Sequence, residues 1–261
     1  MHERKLLRAV LGFLYGHMFF LYWPLYRAYK SRADQHERAW IRQLIAPGDV
    51  IVDVGANVGV YSVFFSELVG PRGAVFAFEP DPQNFARLAR TTAGLARVFP
   101  TEAAVGDETG SIQLFQSKGL NFDHRTYANP DDEHSVSVAI TRLDDVQALE
   151  DQRIRLIKID VQGFELSVLR GASQTLARNP DAKILLEYYP WGLSAAGGSP
   201  QAFIAMLKDG NYVVRSFDPD ANLLFDGIGR TRDRNWFRNL VIGRHADDSV
   251  SGMTHVSLEP R

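Results

Sequence analysis

From residue 47 onward the apolar positions fall into short blocks of two alternating kinds. Continuous apolar runs bounded by turn residues occur in "DVIVDVG" (49–55), "GAVFAFEP" (73–80), "RLIKIDVQG" (155–163) and "AKILLEYYP" (182–190). Runs of this length, rich in Val, Ile and Phe, read as buried strands. Between them lie segments with helical spacing: "GVYSVFFSELV" ended by Gly70-Pro71, "DPQNFARLARTTAGL", "FELSVLRGASQTLARN" and "SPQAFIAMLKDGN". Asp81 stands where a helix N-cap belongs, and Pro82 at the first helical position. "ARVFPTEAAVGD" reads as a third strand running into a turn. "GSIQLFQS" and "HSVSVAITRLDDV" read as further strands around a polar loop, 117–134. "YVVRSFD" and "NLVIGR" close the pattern as an antiparallel hairpin. Alternation of this kind predicts an α/β domain with a mostly parallel sheet covered by helices on both faces.

The first 46 residues break the pattern. "AVLGFLYGHMFFLYWPLY" (9–26) is apolar and aromatic with basic flanks. A signal peptide is disfavoured, because no small-residue cleavage site follows. A membrane span needs ~20 apolar residues, and Gly12, Gly16, His17 and Pro24 interrupt this shorter run. Two readings fit better: a helix packed on the domain or in a homodimer interface, and an interfacial helix in peripheral contact with a membrane. The chain thus divides into a basic, aromatic helical segment (1–46), a core domain (47–245) and a C-terminal tail (246–261).

Composition adds little beyond exclusions. The formal charge of −2 gives no whole-chain case for nucleic-acid binding. With no cysteine, disulfides, thiolate metal sites and cysteine nucleophiles are excluded, and a cytoplasmic location is the expectation. The charge is uneven: residues 1–46 carry eight Lys/Arg against three acids, leaving −7 on the remainder.

In open α/β sheets ligands bind beyond the carboxyl ends of the strands. Asp53 ends the first strand there, and Gly55 and Gly59 free space for a tight turn. Glu79, twenty residues past Gly59, ends the next strand, where an acid can accept from ribose hydroxyls. A dinucleotide site calls for G-x-G-x-x-G, but here Asn57 occupies the middle of G-A-N-V-G. An aspartate two residues before Gly55 also suits a cationic ligand better than a diphosphate.

The motif D-V-G-A-N-V-G, the F-E-P after it and "IKIDVQGFELSVLRGA" together resemble the FkbM-type branch of class I S-adenosylmethionine-dependent methyltransferases, over about residues 47–243. The resemblance implies a Rossmann-like, mostly parallel seven-stranded sheet with a closing antiparallel hairpin, and S-adenosyl-L-methionine as cofactor. It implies that Asp53, Gly55, Ala56, Asn57 and Gly59 line the methionine end. Glu79 and Pro80 then meet the ribose, Glu102, Ala103 and Ala104 border the adenine, and Asp160 lies near the transferred methyl. One departure from the family stands out: Gln162 occupies a position that is usually glutamate.

Methyl transfer to a hydroxyl invites a general base. Asp160, Glu187 and His124 are the candidates, in that order. Lys158, two residues before Asp160 on the same strand face, should be paired with Asp160 or Glu187, because a lone buried ammonium is costly. Glu165 opens a helix, where a carboxylate favours the positive dipole end. Tyr188, Tyr189 and Trp191 suit the face of a sugar. No metal motif is seen, although oxygen ligands around Asp160 stay open as an alternative. The leading expectation is O-methylation of a sugar, glycolipid or natural-product hydroxyl. A nicotinamide-dependent oxidoreductase and an inactive, membrane-docked cofactor-binding module are the alternatives.

Overall fold

The computed structural model describes residues 2–117, 125–127, 132–220, 222–244 and 253–259. Five strands run parallel in the order β3 (Val98–Thr101), β2 (Ala74–Phe78), β1 (Val50–Val54), β7 (Ile154–Ile159), β8 (Lys183–Tyr188). Antiparallel β10 (Arg238–Gly243) and β9 (Val213–Ser216) extend the sheet beyond β8. The hairpin read from "YVVRSFD" and "NLVIGR" is therefore present. An eighth strand, β11 (Thr254–Val256), pairs antiparallel with β9 at the edge. Its three residues are too short to carry a readable alternation, which is why the segment from 246 reads as a tail.

"ARVFPTEAAVGD" splits into two strands. Its first half is β3, whereas β4 (Ala104–Val105) leaves the main sheet to pair with β6 (Asp132–Thr141). β5 (Gly110–Ser117) lies antiparallel on β6, completing a separate three-stranded sheet.

The continuous apolar runs make sense because both sheet faces are covered. Val50, Val52 and Val54 pack with Ile157, Ile159, Leu186 and helical Leu166, Leu169, Phe203 and Leu207 on one face. Ile51, Val75, Leu156 and Leu185 meet Trp40, Ile41, Phe64 and Phe65 on the other. The helices involved are α3 (Gln35–Leu44) and α4 (Val60–Val69) on the second face, with α6 (Glu165–Gly171) and α9 (Pro200–Asp209) on the first. The α5 helix (Pro82–Thr92) starts as its sequence predicts: the Asp81 side chain accepts from the Asn84 N–H at 2.8 Å. "FELSVLRGASQTLARN" forms two short helices, α6 and α7 (Ser173–Arg178), with a break at Ala172.

The N-terminal run is also helical, as α1 (His2–His17) and α2 (Phe19–Ala33) meeting at Met18. Neither is long and apolar enough to cross a membrane. Their inner face packs on the domain: Tyr15 and Tyr22 are buried against Val58 and Val60. The Tyr15 hydroxyl donates to Asn84 Oδ1, and the Arg87 guanidinium lies over the Tyr15 ring and donates to the Tyr15 carbonyl at 2.6 Å.

Candidate active site

The chain winds from β1 outward to β3 and then returns to β7 on the other side of β1. That reversal opens a crevice between the carboxyl ends of β1 and β7, the usual ligand position in such sheets. A cavity of about 720 Å³ lies there, within the ~300–1,000 Å³ of small-molecule sites.

The turn after β1 forms one wall. Gly55 has φ +78°, and a Cβ there would overlap the Asp160 carbonyl oxygen, so the two strand ends approach this closely only with glycine. Gly55 and Ala56 N–H groups both donate to the Phe78 carbonyl, at 3.0 and 2.9 Å. Asn57 takes φ +52° and turns its N–H to Glu79 Oε2 at 2.7 Å. Gly55, Ala56, Asn57, Glu79, Pro80, Ala103 and Ala104 all line the cavity.

Three residues of the expected set do not line it. Asp53 is fully buried behind the wall, beside its register partner Lys158. It accepts from Ser62 Oγ at 2.7 Å and lies 3.9 Å from Lys158 Nζ. Burial pushes its carboxyl above the ordinary value against the pull of Lys158 and Ser62. Gly59, φ +90°, begins α4 against Leu88 and Thr91, so its missing side chain serves packing. Glu102 is exposed at the strand end.

Glu79 is buried, with Oε2 bonded to Asn57 N and Oε1 to Asp81 N at 3.0 Å. The Asn84 side chain is a third hydrogen-bond partner of this carboxyl. Burial raises its pKa to about 8, although the two backbone donors oppose the rise.

The opposite wall holds a cluster of charges. Lys158 Nζ sits 3.2 Å from Asp160 Oδ2, which is the expected pairing. Gln162, at φ +54°, extends its amide nitrogen between two carboxylates: 3.2 Å from Asp160 Oδ1 and 3.1 Å from Glu187 Oε2. The two acids are pushed apart. Burial would raise Asp160, but Lys158 and Lys30 outweigh it and hold Asp160 below its ordinary value. Burial, with the charges of Asp160 and Glu165, drives Glu187 well above its own. Glu165, behind them, accepts from Gly163 N at 2.9 Å and is raised by burial to about 8. Among the described residues no group of His, Asp and Glu converges as a metal site would require.

Tyr189 and Trp191 line the cavity, whereas Tyr188 is buried against Phe203 with its hydroxyl on the Leu224 carbonyl. Tyr188 ends β8, and Tyr189, just past the strand at the start of the next helix, turns its ring the other way. His124 lies outside the described residues. Several lining residues carry no local signal in the sequence: Arg125 and Thr126 from the loop, Arg234 and Phe237 before β10, and Tyr26, Tyr29 and Lys30 from α2. The last three share one helix face by their spacing of three and four. Lys30 holds Asp34 at 2.9 Å. Burial would lower its pKa, but Asp34 and Asp160 outweigh that and raise it.

Residues 53–214 match the family model described as "Methyltransferase FkbM domain". The 2-O-methyltransferase NoeI of Sinorhizobium fredii is 32% identical over 157 residues, covering 52% of this chain and 64% of that protein. The 31-O-demethyl-FK506 methyltransferase FkbM of Streptomyces tacrolimicus is 32% identical over 169 residues, covering 52% and 64%. The hexuronic acid methyltransferase AglP of Haloferax volcanii is 28% identical over 155 residues, covering 58% and 62%. Each match thus spans somewhat less than two thirds of the relative. The glycine turn after β1, the carboxylates beyond β2 and β7 and a family match over more than half of the chain agree: this protein belongs to the FkbM methyltransferase family.

Proposed function

We propose that this protein transfers a methyl group from S-adenosylmethionine to a hydroxyl oxygen of a sugar, glycolipid or natural-product acceptor. The observation that carries the reading is the Asp160–Gln162–Glu187 cluster, two carboxylates of opposite pKa tendency held by one amide in the cavity that also receives Glu79. Three relatives support the reaction class: one is a 2-O-methyltransferase, one acts on 31-O-demethyl-FK506 and one on hexuronic acid.

The residues present suit the cofactor. Glu79 lines the cavity with acceptor capacity left for a ribose hydroxyl, and the small side chains of Ala103 and Ala104 leave room for a flat base. The glycine turn lets an amino-acid group approach the backbone, and Asp160, kept ionised by Lys158, offers negative charge to a cationic centre. When bound, the cofactor supplies an activated methyl on a sulfonium that leaves as a neutral thioether.

The remaining work falls to the chain. Glu187, which burial and the neighbouring acids hold well above its ordinary value, is a better base than Asp160, which Lys158 and Lys30 hold below its own. It accepts the acceptor's hydroxyl proton while the C–O bond forms and the C–S bond breaks. Gln162 positions the two acids, and Lys158 positions Asp160. Tyr189 and Trp191 pack the acceptor's face, while Tyr29 and Phe237 at the mouth exclude water.

Calorimetric titration of S-adenosylmethionine, with NAD in parallel, into the wild type and Glu79→Ala tests this. We expect the sulfonium cofactor alone to bind, and Glu79→Ala to weaken it at least ~10-fold, as loss of a buried hydrogen-bonding partner does. Binding of NAD instead, or of neither ligand to folded protein, would overturn it.

A further inference from the structure

The outward face of α1 and α2 has an apolar character that the domain does not use. Six of the eight large apolar side chains exposed among the described residues lie there: Val10, Phe13, Phe20, Leu21, Leu25 and Tyr29. Val10 and Phe13 stand three apart on α1, and Leu21, Leu25 and Tyr29 stand four apart on α2, where Phe20 adjoins Leu21, so each helix carries an exposed apolar stripe. The inner face is already occupied, since Tyr15 and Tyr22 are buried against the core. A helix apolar on both sides, with only one side covered, presents a surface that needs a partner.

We propose that this surface docks on an anionic lipid bilayer. Charge selects that occupant. Between Glu3 and Asp34 the sequence has six Lys/Arg and no acid; Arg27 pairs with Glu67 and Lys30 with Asp34, so the sequence charges of Arg4, Lys5, Arg8 and Arg32 carry the selection. A symmetric pairing of two copies would bring the same basic segment face to face, whereas anionic headgroups complement it. The side-chain chemistry agrees: Phe, Leu and Tyr on the outer face, with basic residues on either side, form the pattern of a helix lying in the interface plane.

Docking would also orient the cleft. Tyr26, Tyr29 and Lys30 of the same helix line the active-site cavity, and Tyr29 belongs to both the stripe and the cavity mouth. The catalytic opening therefore faces the headgroup layer, where a membrane-resident acceptor would present its hydroxyl. The docking itself does not rest on the proposed reaction.

Flotation of the full chain with vesicles tests it. Phosphatidylcholine alone is compared with phosphatidylcholine containing about a third phosphatidylglycerol. The wild type should bind the anionic vesicles, with affinity falling about tenfold or more as salt shortens the Debye length from ~10 Å to a few ångströms. Phe13→Ser/Phe20→Ser/Leu25→Ser should weaken binding at least ~100-fold, while the off-stripe Phe99→Ser should not change it. Circular dichroism and cofactor titration report whether the triple variant is folded, and Phe20→Glu alone, at an exposed site, should already weaken binding about tenfold. Absence of binding to any vesicle would overturn the proposal. So would binding that persists in the triple variant, or a wild-type dimer or larger oligomer on sedimentation that the triple variant abolishes without any vesicle binding.

Discussion

Gln162→Glu is the sharpest probe of the carboxylate cluster, because it changes charge and almost nothing else. The glutamine amide donates to Asp160 at 3.2 Å and to Glu187 at 3.1 Å. A glutamate keeps the shape but cannot donate to both. If ionised, it faces the Asp160 charge at contact distance, which costs about 4 kcal/mol at an effective dielectric of ~20. Lys158, 3.2 Å from Asp160, and the 36% exposure of the Asp160 side chain reduce this to about 2 kcal/mol. Protonated, the new acid is nearly isosteric, and the penalty falls below ~1 kcal/mol. Thermal unfolding of ligand-free protein at pH 5 and pH 8 reads the difference. The variant should melt within ~2 °C of the wild type at pH 5 and ~4–8 °C below it at pH 8, at ~2–4 °C per kcal/mol for a chain of this size. An equal loss at both pH values would mean that backbone strain at φ +54°, not charge, is what the residue controls. No loss at either would refute the contact between the acids.

Three more outcomes follow from the same geometry. Glu187→Gln should lower kcat at least ~100-fold, and the wild-type rate should climb through a limb above the ordinary carboxylate range as Glu187 loses its proton; a limb retained in the variant would assign it elsewhere. Glu165 has a folded pKa of about 8, raised by burial, so its stabilising effect is complete below the unfolded value and is lost as pH rises through 8. Glu165→Gln should flatten the fall in ligand-free melting temperature between pH 5 and 8, by at most ~4–5 kcal/mol, and an unchanged slope would contradict this. Gly55→Ala, which sets a methyl against the Asp160 carbonyl at φ +78°, should cost at least ~3 kcal/mol in denaturant unfolding; a loss under 1 kcal/mol would show that the β1 and β7 ends can separate freely.

Legibility in the sequence follows how local each feature's cause is. The parallel core was readable because strands buried on both faces need apolar runs, and "AVFAF" shows one unbroken while "VIVDV" is interrupted only by Asp53. The α5 start was readable because Asp81 and Pro82 act on their own turn. The split of "ARVFPTEAAVGD" was not, since Thr101 to Ala104 reads as continuous strand and only the pairing of Ala104 with Ile140 takes the chain to a second sheet. β11 was hidden for a related reason, as three residues hold too little pattern to separate a strand from a tail.

The site divides in the same way. Residues on the strand ends could be named from their motif, and those that reach the cavity, such as Gly55, Glu79 and Asp160, are the ones whose side of the strand the turn decides. Asp53 shows the limit: the motif marks it, but its carboxyl is covered by Ser62 and Lys158, and Lys158 belongs to β7, a hundred residues on. Lys30 shows the converse. Nothing near it in the sequence marks it as part of a site, yet α2 carries it across β1 until its charge helps hold Asp160 ionised. A cleft built this way has its chemistry on the sheet and its mouth on a helix from outside the matched family region, 53–214. On the proposed reaction, chemistry and acceptor access can vary independently: a change at Glu187 or Gln162 would alter proton handling, whereas a change at Tyr26, Tyr29 or Lys30 would alter what enters.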